Sequence, residues 1–316
     1  MALIRSEAHK MRNDQFRTMF ESVEAAKAFI PPTAATVKAR AGALGVPHNV
    51  TVIPNGKGAK LHYLGVPNAN KLILYFHGGG FALPPTEGHV TFMLQCADKI
   101  AQSSGQRVQI AFLEYTLSHV ERYPLQLLQA TEALRLILDS GTRPSDIVVA
   151  GDSAGGNMCL GIVSHILHPL EGIPPLGLRE PLAGVLLISP WVSFDEDASS
   201  YKENVNLDIC SPELLHAMAD AYVPAVRNNW TDPYLAESFW WKGFPAKEVL
   251  NLCGGHELLK DYVLSVGRAL SQAGVDIKTV ECPLHVHVEC ILDAQVGLST
   301  GEMAEEIWAW LPQAFQ

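Results

Sequence analysis

Asp146-Ile147-Val148-Val149-Ala150-Gly151-Asp152-Ser153-Ala154-Gly155-Gly156-Asn157-Met158-Cys159-Leu160 is the stretch on which the fold turns. Its first five residues read as a buried strand, and the small-residue run from Gly156 reads as the start of a helix. Between them, Gly151-x-Ser153-x-Gly155 leaves a serine at the apex. A strand that reverses directly into a helix crowds its own backbone, so residues without a Cβ are needed on either side of the bend. The spacing predicts a nucleophile elbow with Ser153 at its tip. Given the Gly and Ser content, such a pattern arises by chance about 0.1 times in a chain of this length, so the flanking elements carry the reading.

A second glycine motif, His77-Gly78-Gly79-Gly80-Phe81, follows the apolar run Leu72 to Phe76. By the same composition count it arises by chance roughly 0.006 times. Three successive glycines let backbone N–H groups turn into a pocket, where they can stabilise the oxyanion of a tetrahedral intermediate. The plain alternative is a glycine-rich loop without chemistry.

Outward from these motifs the chain alternates. Short apolar runs at 50–53, 60–65, 72–76, 107–114, 146–150, 182–189, 247–252 and 275–281 predict strands, and 89–104, 124–139, 154–168 and 258–273 predict helices. This is the pattern of an α/β chain with a mostly parallel sheet covered on both faces, its first strands an antiparallel hairpin. Ligands of such sheets bind at the carboxyl ends of the strands, where both glycine motifs fall. Residues 11–29 place Phe16, Met19, Phe20 and Val23 at helical spacing and predict one amphipathic helix before the sheet. Residues 193–235 are polar, acidic and helical at 211–222, an insertion expected to lie over the strand ends as a lid. The reading is a single domain over 1–316 with a cap formed by about 1–45 and about 193–235. No internal repeat or linker is visible.

The chain has 316 residues, 48% of them hydrophobic and 18% charged, with a net charge of -10. That content supports a large core, and the acidity argues against nucleic acid or an anionic membrane as partner. The residues from Met1 to Lys10 contain no apolar leader core, and no long uninterrupted apolar run follows, so no membrane insertion and a cytoplasmic location are expected. Cys96, Cys159, Cys210, Cys253, Cys282 and Cys290 form no Cys-x-x-Cys pair and fall mostly in apolar runs, which suits reduced core thiols rather than a zinc site.

A serine hydroxyl needs a histidine to take its proton and a carboxylate to orient that histidine, in the chain order Ser, acid, His for this architecture. After the apolar run ending at Leu252 come Glu257 and Asp261, with Glu257 nearer the strand end. After the run ending at Cys282 come His285 and His287. Either acid and either histidine fits the order. Asp261 also fits a carboxylate in a first helical turn, and His285 a loop hydrogen bond. His285-x-His287-x-Glu289 reads alternatively as metal ligands on one face of a strand, a reading that leaves both glycine motifs unexplained. No metal and no cofactor are expected.

These residues resemble the hormone-sensitive-lipase-like carboxylesterase branch of the α/β-hydrolase superfamily, in which His-Gly-Gly-Gly and Gly-Asp-Ser-Ala-Gly-Gly occur together. Glu114 to Pro124 is similar to the family's Asp-Tyr-Arg-Leu-Ala-Pro-Glu segment, Ile188 to Trp191 to its next strand end, and Asp232-Pro233-Tyr234 to its return from the cap. The resemblance implies an α/β-hydrolase fold with a helical cap. It makes the first acid of the Gly-x-x-Asp/Glu-x-Leu-x-x-Asp pattern catalytic, hence Glu257, with Asp261 supporting the loop. The family's acid and histidine lie roughly thirty residues apart, which selects His287, and Val286 to Asp293 is similar to the Val-His-Asp-Glu-Pro-Ile segment of fungal steryl-acetyl-hydrolase-like members. The resemblance further implies oxyanion donors at Gly79, Gly80 and Ala154, and a structural His77. Thr116 stands where the family has Arg, and Ser118-His119-Val120 where it has Ala-Pro, which puts a local salt-bridge network in doubt.

The expected activity is that of a serine carboxylesterase acting through an acyl-enzyme on a small to medium hydrophobic ester, such as an acylated natural product. Phe81, Trp230 and Trp240 are the candidate substrate-binding residues. Phe239, Trp241, Phe16 and Phe20 are further candidates for an apolar entrance. Rival readings on the same scaffold are acyl transfer, condensation or carbon–carbon cleavage, and a non-catalytic receptor. A small-molecule ester is the expected partner, and a homodimer stays open.

Overall fold

The computed structural model describes residues 6–67 and 69–316. The first five residues, part of the leader and cap expectations, lie outside the described residues. Among these, eight strands form one sheet: β1 (His48–Val52), β2 (Lys60–Leu64), β3 (Lys71–Phe76), β4 (Val108–Glu114), β5 (Ile147–Asp152), β6 (Gly184–Ile188), β7 (Val249–Gly254) and β8 (Ile277–Cys282). Their order across the sheet is β1-β2-β4-β3-β5-β6-β7-β8. The two β1–β2 and β2–β4 pairings are antiparallel, and every pairing from β4 to β8 is parallel. β5, β6 and β7 are buried along their whole length. That is why they read as near-continuous apolar runs rather than as alternation, with Asn251 in β7 and Asp152 at the end of β5 the polar exceptions.

Helices cover both faces: α1 (Glu7–Met19), α2 (Val23–Phe29), α3 (Thr33–Ala43), α4 (Glu87–Ser104), α5 (Leu125–Asp139), α6 (Ala154–Leu167), α7 (Ser199–Glu203), α8 (Pro212–Tyr222), α9 (Lys260–Gln272), α10 (Glu289–Val296) and α11 (Glu302–Ala314). The apolar core accordingly splits into two clusters. One holds Leu74, Val149 and Leu187 with α5, α6 and α9, and the other holds Ile73, Val148 and Leu186 with α4, α10 and α11. The eight predicted strands all form, with ends shifted by up to two residues. The predicted helices over 89–104, 124–139, 154–168, 211–222 and 258–273 also form.

The single helix expected over 11–29 is two. Ser22 accepts the Ala25 N–H at 3.1 Å and starts α2 afresh after α1 has ended at Met19. An apolar periodicity persists across such a break, because each helix buries one face, whereas the cap residue marks the new start. α3, α10 and α11 were not among the expected helices.

Strand order reverses between β3 and β5, because the chain runs from β3 outward to β4 and then returns to β5 on the other side. In the β3–β5 register Phe76 lies opposite Gly151. The glycine loop after β3 and the turn after β5 therefore emerge side by side at the topological switch point, where open α/β sheets bind ligands.

Candidate active site

Ser153 links β5 to α6 with φ 49° and ψ -117°, a backbone region that costs a non-glycine residue about 1–3 kcal/mol. Three backbone bonds hold it there. Its N–H donates to the Ile188 carbonyl at 2.9 Å, and its own carbonyl accepts from Asn157 at 3.1 Å and Trp191 at 2.9 Å. The neighbouring glycines are steric necessities: a Cβ on Gly155 would meet the Phe76 carbonyl, and one on Gly156 would lie 2.7 Å from Pro190 Cβ.

Beside this turn, Gly79 and Gly80 adopt φ 99° and 59°, and the Gly79 carbonyl accepts from Leu83 at 2.8 Å and Ala82 at 3.0 Å. Asp152 joins the loop to the turn. It accepts the Gly78 N–H at 2.9 Å and the Tyr75 hydroxyl, and it faces His89 at 3.4 Å. Burial would raise its pKa, but His89, Tyr75 and the Gly78 N–H outweigh burial and hold it below the usual carboxylate value. Among the described residues no protein acceptor takes the N–H of Gly79, Gly80 or Ala154. His77 is fully buried, stacks on Tyr115 and bonds the Gly78 carbonyl at 2.7 Å. Burial, with His89 adding, drives its pKa down to about 3, so it stays neutral and braces the loop.

Glu257 and His287 face each other across the β7 and β8 loops, with His287 Nδ1 3.5 Å from Glu257 Oε2. This is the long end of hydrogen bonding, common for catalytic pairs before substrate binds. Ser189, which follows β6, donates its hydroxyl to Glu257 Oε2 at 2.6 Å and accepts the Val288 N–H at 3.2 Å. Asp208, from the segment between α7 and α8, accepts the N–H groups of Leu258 at 2.8 Å and His287 at 3.0 Å. One carboxylate thus pins the residues of both loops. Burial, with the Glu257 charge adding, pushes Asp208 up to about 6, against the pull of His287 and of those N–H groups. Around His287, burial alone would lower the pKa, but Glu257, then Asp208 and Asp152, outweigh it and raise the value above the ordinary one.

The other candidates lie elsewhere. Asp261, in the first turn of α9, accepts the Ser200 N–H at 2.9 Å and ties α7 to the acid loop. The His285 ring packs against Gly301 and faces Glu289 at 3.6 Å. The three residues of the His285-x-His287-x-Glu289 reading do not alternate on a strand, because β8 ends at Cys282 and Glu289 opens α10. Where Thr116 replaces arginine, amides take over: Gln129 bonds the Thr116 N–H and hydroxyl, both at 2.8 Å, and Gln126 bonds its carbonyl at 2.7 Å.

Ser153, His287, Gly79 and Gly80 all border one cleft of about 660 Å3, open mouth included. Its remaining wall is mostly apolar, with Phe16, Phe20, Leu215 and Met218 prominent and Thr86, His89 and Asp152 the polar exceptions. Phe16 and Phe20 are where the aromatic count suggested an entrance, whereas Phe81, Trp230 and Trp240 do not border this cleft. Phe81 is fully buried and stacks on Tyr222 at 3.6 Å. Trp230 and Trp240 pack edge to face at 5.1 Å against the far end of α6, donating to the His168 carbonyl and the Ser164 hydroxyl. Their ring area is spent on the core, the commoner fate of large aromatics. Ser189 and Asp208 escaped sequence reasoning. Ser189 lay at a strand's carboxyl end, a usable signal, but Asp208 had none, being brought to the loops only by the segment between α7 and α8.

A family model described as alpha/beta hydrolase fold matches residues 73–291. The chain belongs to this family. Within it, a carboxylesterase of Mycobacterium tuberculosis is 29% identical over 161 residues, 49% of this chain and 46% of that one. Steryl acetyl hydrolase 1 of Saccharomyces cerevisiae is 28% identical over 145 residues, 43% of this chain and 31% of the other. The chain thus spans about half the length, or less, of these curated relatives. As an α/β-hydrolase it also superposes on a crystal structure of an esterase from the bacterial hormone-sensitive lipase family with TM-score 0.71, at 21% identity, covering 99% of this chain and 100% of that one. No helix among the described residues is long and apolar enough to cross a membrane.

Proposed function

We propose that this α/β-hydrolase cleaves carboxylic esters through an acyl-enzyme on Ser153. The observation that carries the reading is the meeting, in one cleft, of a strained serine, a buried histidine paired with a carboxylate, and backbone N–H groups without protein acceptors. Ser153 Oγ attacks the carbonyl carbon as His287 takes its proton, and the N–H groups of Gly79, Gly80 and Ala154 receive the oxyanion. The bond to the alcohol oxygen then breaks, and the proton on His287 passes to the departing alkoxide. Water, deprotonated by the same histidine, attacks the acyl-enzyme; the bond to Ser153 Oγ then breaks, releasing the acid, and His287 returns the proton to the serine. Glu257 orients His287 and stabilises its charged form, and each oxyanion donor is worth about 3–4 kcal/mol in the transition state.

The mostly apolar wall favours a small to medium hydrophobic ester over a charged metabolite. Related proteins described as carboxylesterase and steryl acetyl hydrolase agree with that substrate class. We further propose that the segments about 1–45 and about 193–235 form the cap of one domain. Phe16 and Phe20 from the first and Ile209, Leu214, Leu215 and Met218 from the second border the cleft.

The test is hydrolysis of p-nitrophenyl butyrate with circular dichroism as a fold control. Ser153→Ala is expected to abolish turnover and labelling by a fluorophosphonate probe while leaving the spectrum unchanged. Retained turnover overturns the assignment.

A further inference from the structure

A second cavity, of about 1130 Å3 with its open mouth included, adjoins the cleft between α1, α3 and the ends of α4 and α10. Phe16, Ile30 and Thr86 border both spaces, so the partition between them is a single side chain thick. α10 and the residue before it run past both. Val288, Ile291 and Leu292 face the cleft, and Gln295 and Val296 face the second cavity. At 3.6 residues per turn these positions make one continuous stripe, which leads away from His287.

The direction of that stripe has a chemical meaning. In the reaction proposed above, His287 protonates the departing alkoxide, so the alcohol half of the ester lies on the His287 side of the cleft. We infer that the second cavity is a subsite for the alcohol arm of an ester too long for the cleft alone. Phe16 and Ile30 stand at its threshold. Met19, Phe29, Pro31 and Val296 supply apolar contact, and Gln15 and Glu87 are polar groups on the same lining. The matching ligand is an extended alcohol, apolar along most of its length and polar at its far end. Phe29 is 72% exposed, and an occupant of the cavity would cover it.

The inference rests on the hydrolase reading and narrows its substrate class. Ala35 and Ala39 border the second cavity, do not border the cleft, and are exposed, so tryptophan there obstructs the cavity without overfilling the core. The experiment compares ethyl, hexyl and decyl acetate, and ethyl decanoate, with the wild type, Ala35→Trp and Ala39→Trp. The expected result is a fall of about tenfold in kcat/KM for decyl acetate, with ethyl acetate and ethyl decanoate unchanged. An unchanged value for decyl acetate, or an equal fall for ethyl acetate, overturns the subsite. A fall confined to ethyl decanoate overturns its assignment to the alcohol arm.

Failure of the hydrolase reading looks different: the wild type and Ser153→Ala then turn over ethyl acetate at the same background rate, and the alcohol-arm assignment falls with it. A calorimetric titration of decanol into Ser153→Ala reads the cavity without turnover. Weaker binding when Ala39→Trp is added supports the subsite, and unchanged affinity overturns it.

Discussion

His287 titrates among three carboxylates, Glu257, Asp208 and Asp152, which together outweigh its burial and raise its pKa. A general base must be neutral, so kcat/KM is expected to rise with pH through an inflection above about 6.5, the ordinary imidazole value. Glu257→Gln removes the largest of the raising influences. The inflection is expected to move down and kcat to fall by about 10^4, as a pH–rate profile of both proteins would read. An inflection that stays in place removes Glu257 from the pairing. The stability contribution has the same origin and a definite sign. A histidine whose folded pKa is raised stabilises the fold in full below its unfolded value and loses that contribution as pH rises through the folded one. Asp208, pushed up to about 6, follows the same rule for the proton it binds: its contribution is full below about 3.9 and is lost as pH rises through about 6. Thermal denaturation from about pH 4 to 6 reads the Asp208 contribution, and continued above about 6.5 it reads that of His287.

Between β5 and α6 the backbone leaves no room for a side chain at Gly155, where a Cβ would meet the Phe76 carbonyl. β3 cannot retreat, because it is paired on one side with β4 and on the other with β5. Gly155→Ala is therefore expected to cost about 3 kcal/mol or more, read as a fall in the midpoint of chemical denaturation. An unchanged midpoint would mean that the turn shifts at no cost. The same element explains why the motif was legible. The demand for small residues is local, made by one strand meeting one helix, and so it is written in consecutive positions. The aromatic residues obey no such local demand. Trp230 and Trp240 meet α6 only because the chain between β6 and β7 returns across it, and their sequence positions carry no trace of that. The break between α1 and α2 was legible in Ser22 as a cap residue, but the apolar spacing on either side concealed it.

Across the whole molecule, the N-terminal helix is bolted to the element that follows His287. Arg12 of α1, almost fully buried, pairs with Asp293 and, at 3.2 Å, with Glu289, both on α10. Glu289 in turn accepts the Val286 N–H at 2.9 Å, one residue before His287. Taking away Arg12 leaves two buried carboxylates without that cation. Breaking buried pairs of this kind typically costs about 3–5 kcal/mol. Arg12→Ala is expected to lower stability by that order and to lower kcat/KM as well, because α1 also carries Phe16 and Phe20 into the cleft. Chemical denaturation and ester kinetics on the same variant check both. Loss of stability with kinetics untouched would show that the placement of α1 is irrelevant to turnover.

The central strands β5, β6 and β7 were readable because they are buried on both faces and must be apolar along most of their length. The turn at Ser153 and the glycine loop were readable for a related reason, since each answers a requirement met within a few residues. Choosing His287 and Glu257 from the residues alone was not possible. His285 and Asp261 satisfy the same local pattern, and what separates them is that the β7 and β8 loops meet so that His287 borders the cleft with Glu257 buried beside it, while Gly301 and Ser200 take the others. Asp208, Ser189 and the cavity beyond Phe16 belong wholly to the tertiary structure. They arise where segments far apart in the chain converge, and such distances impose no spacing that a sequence can display.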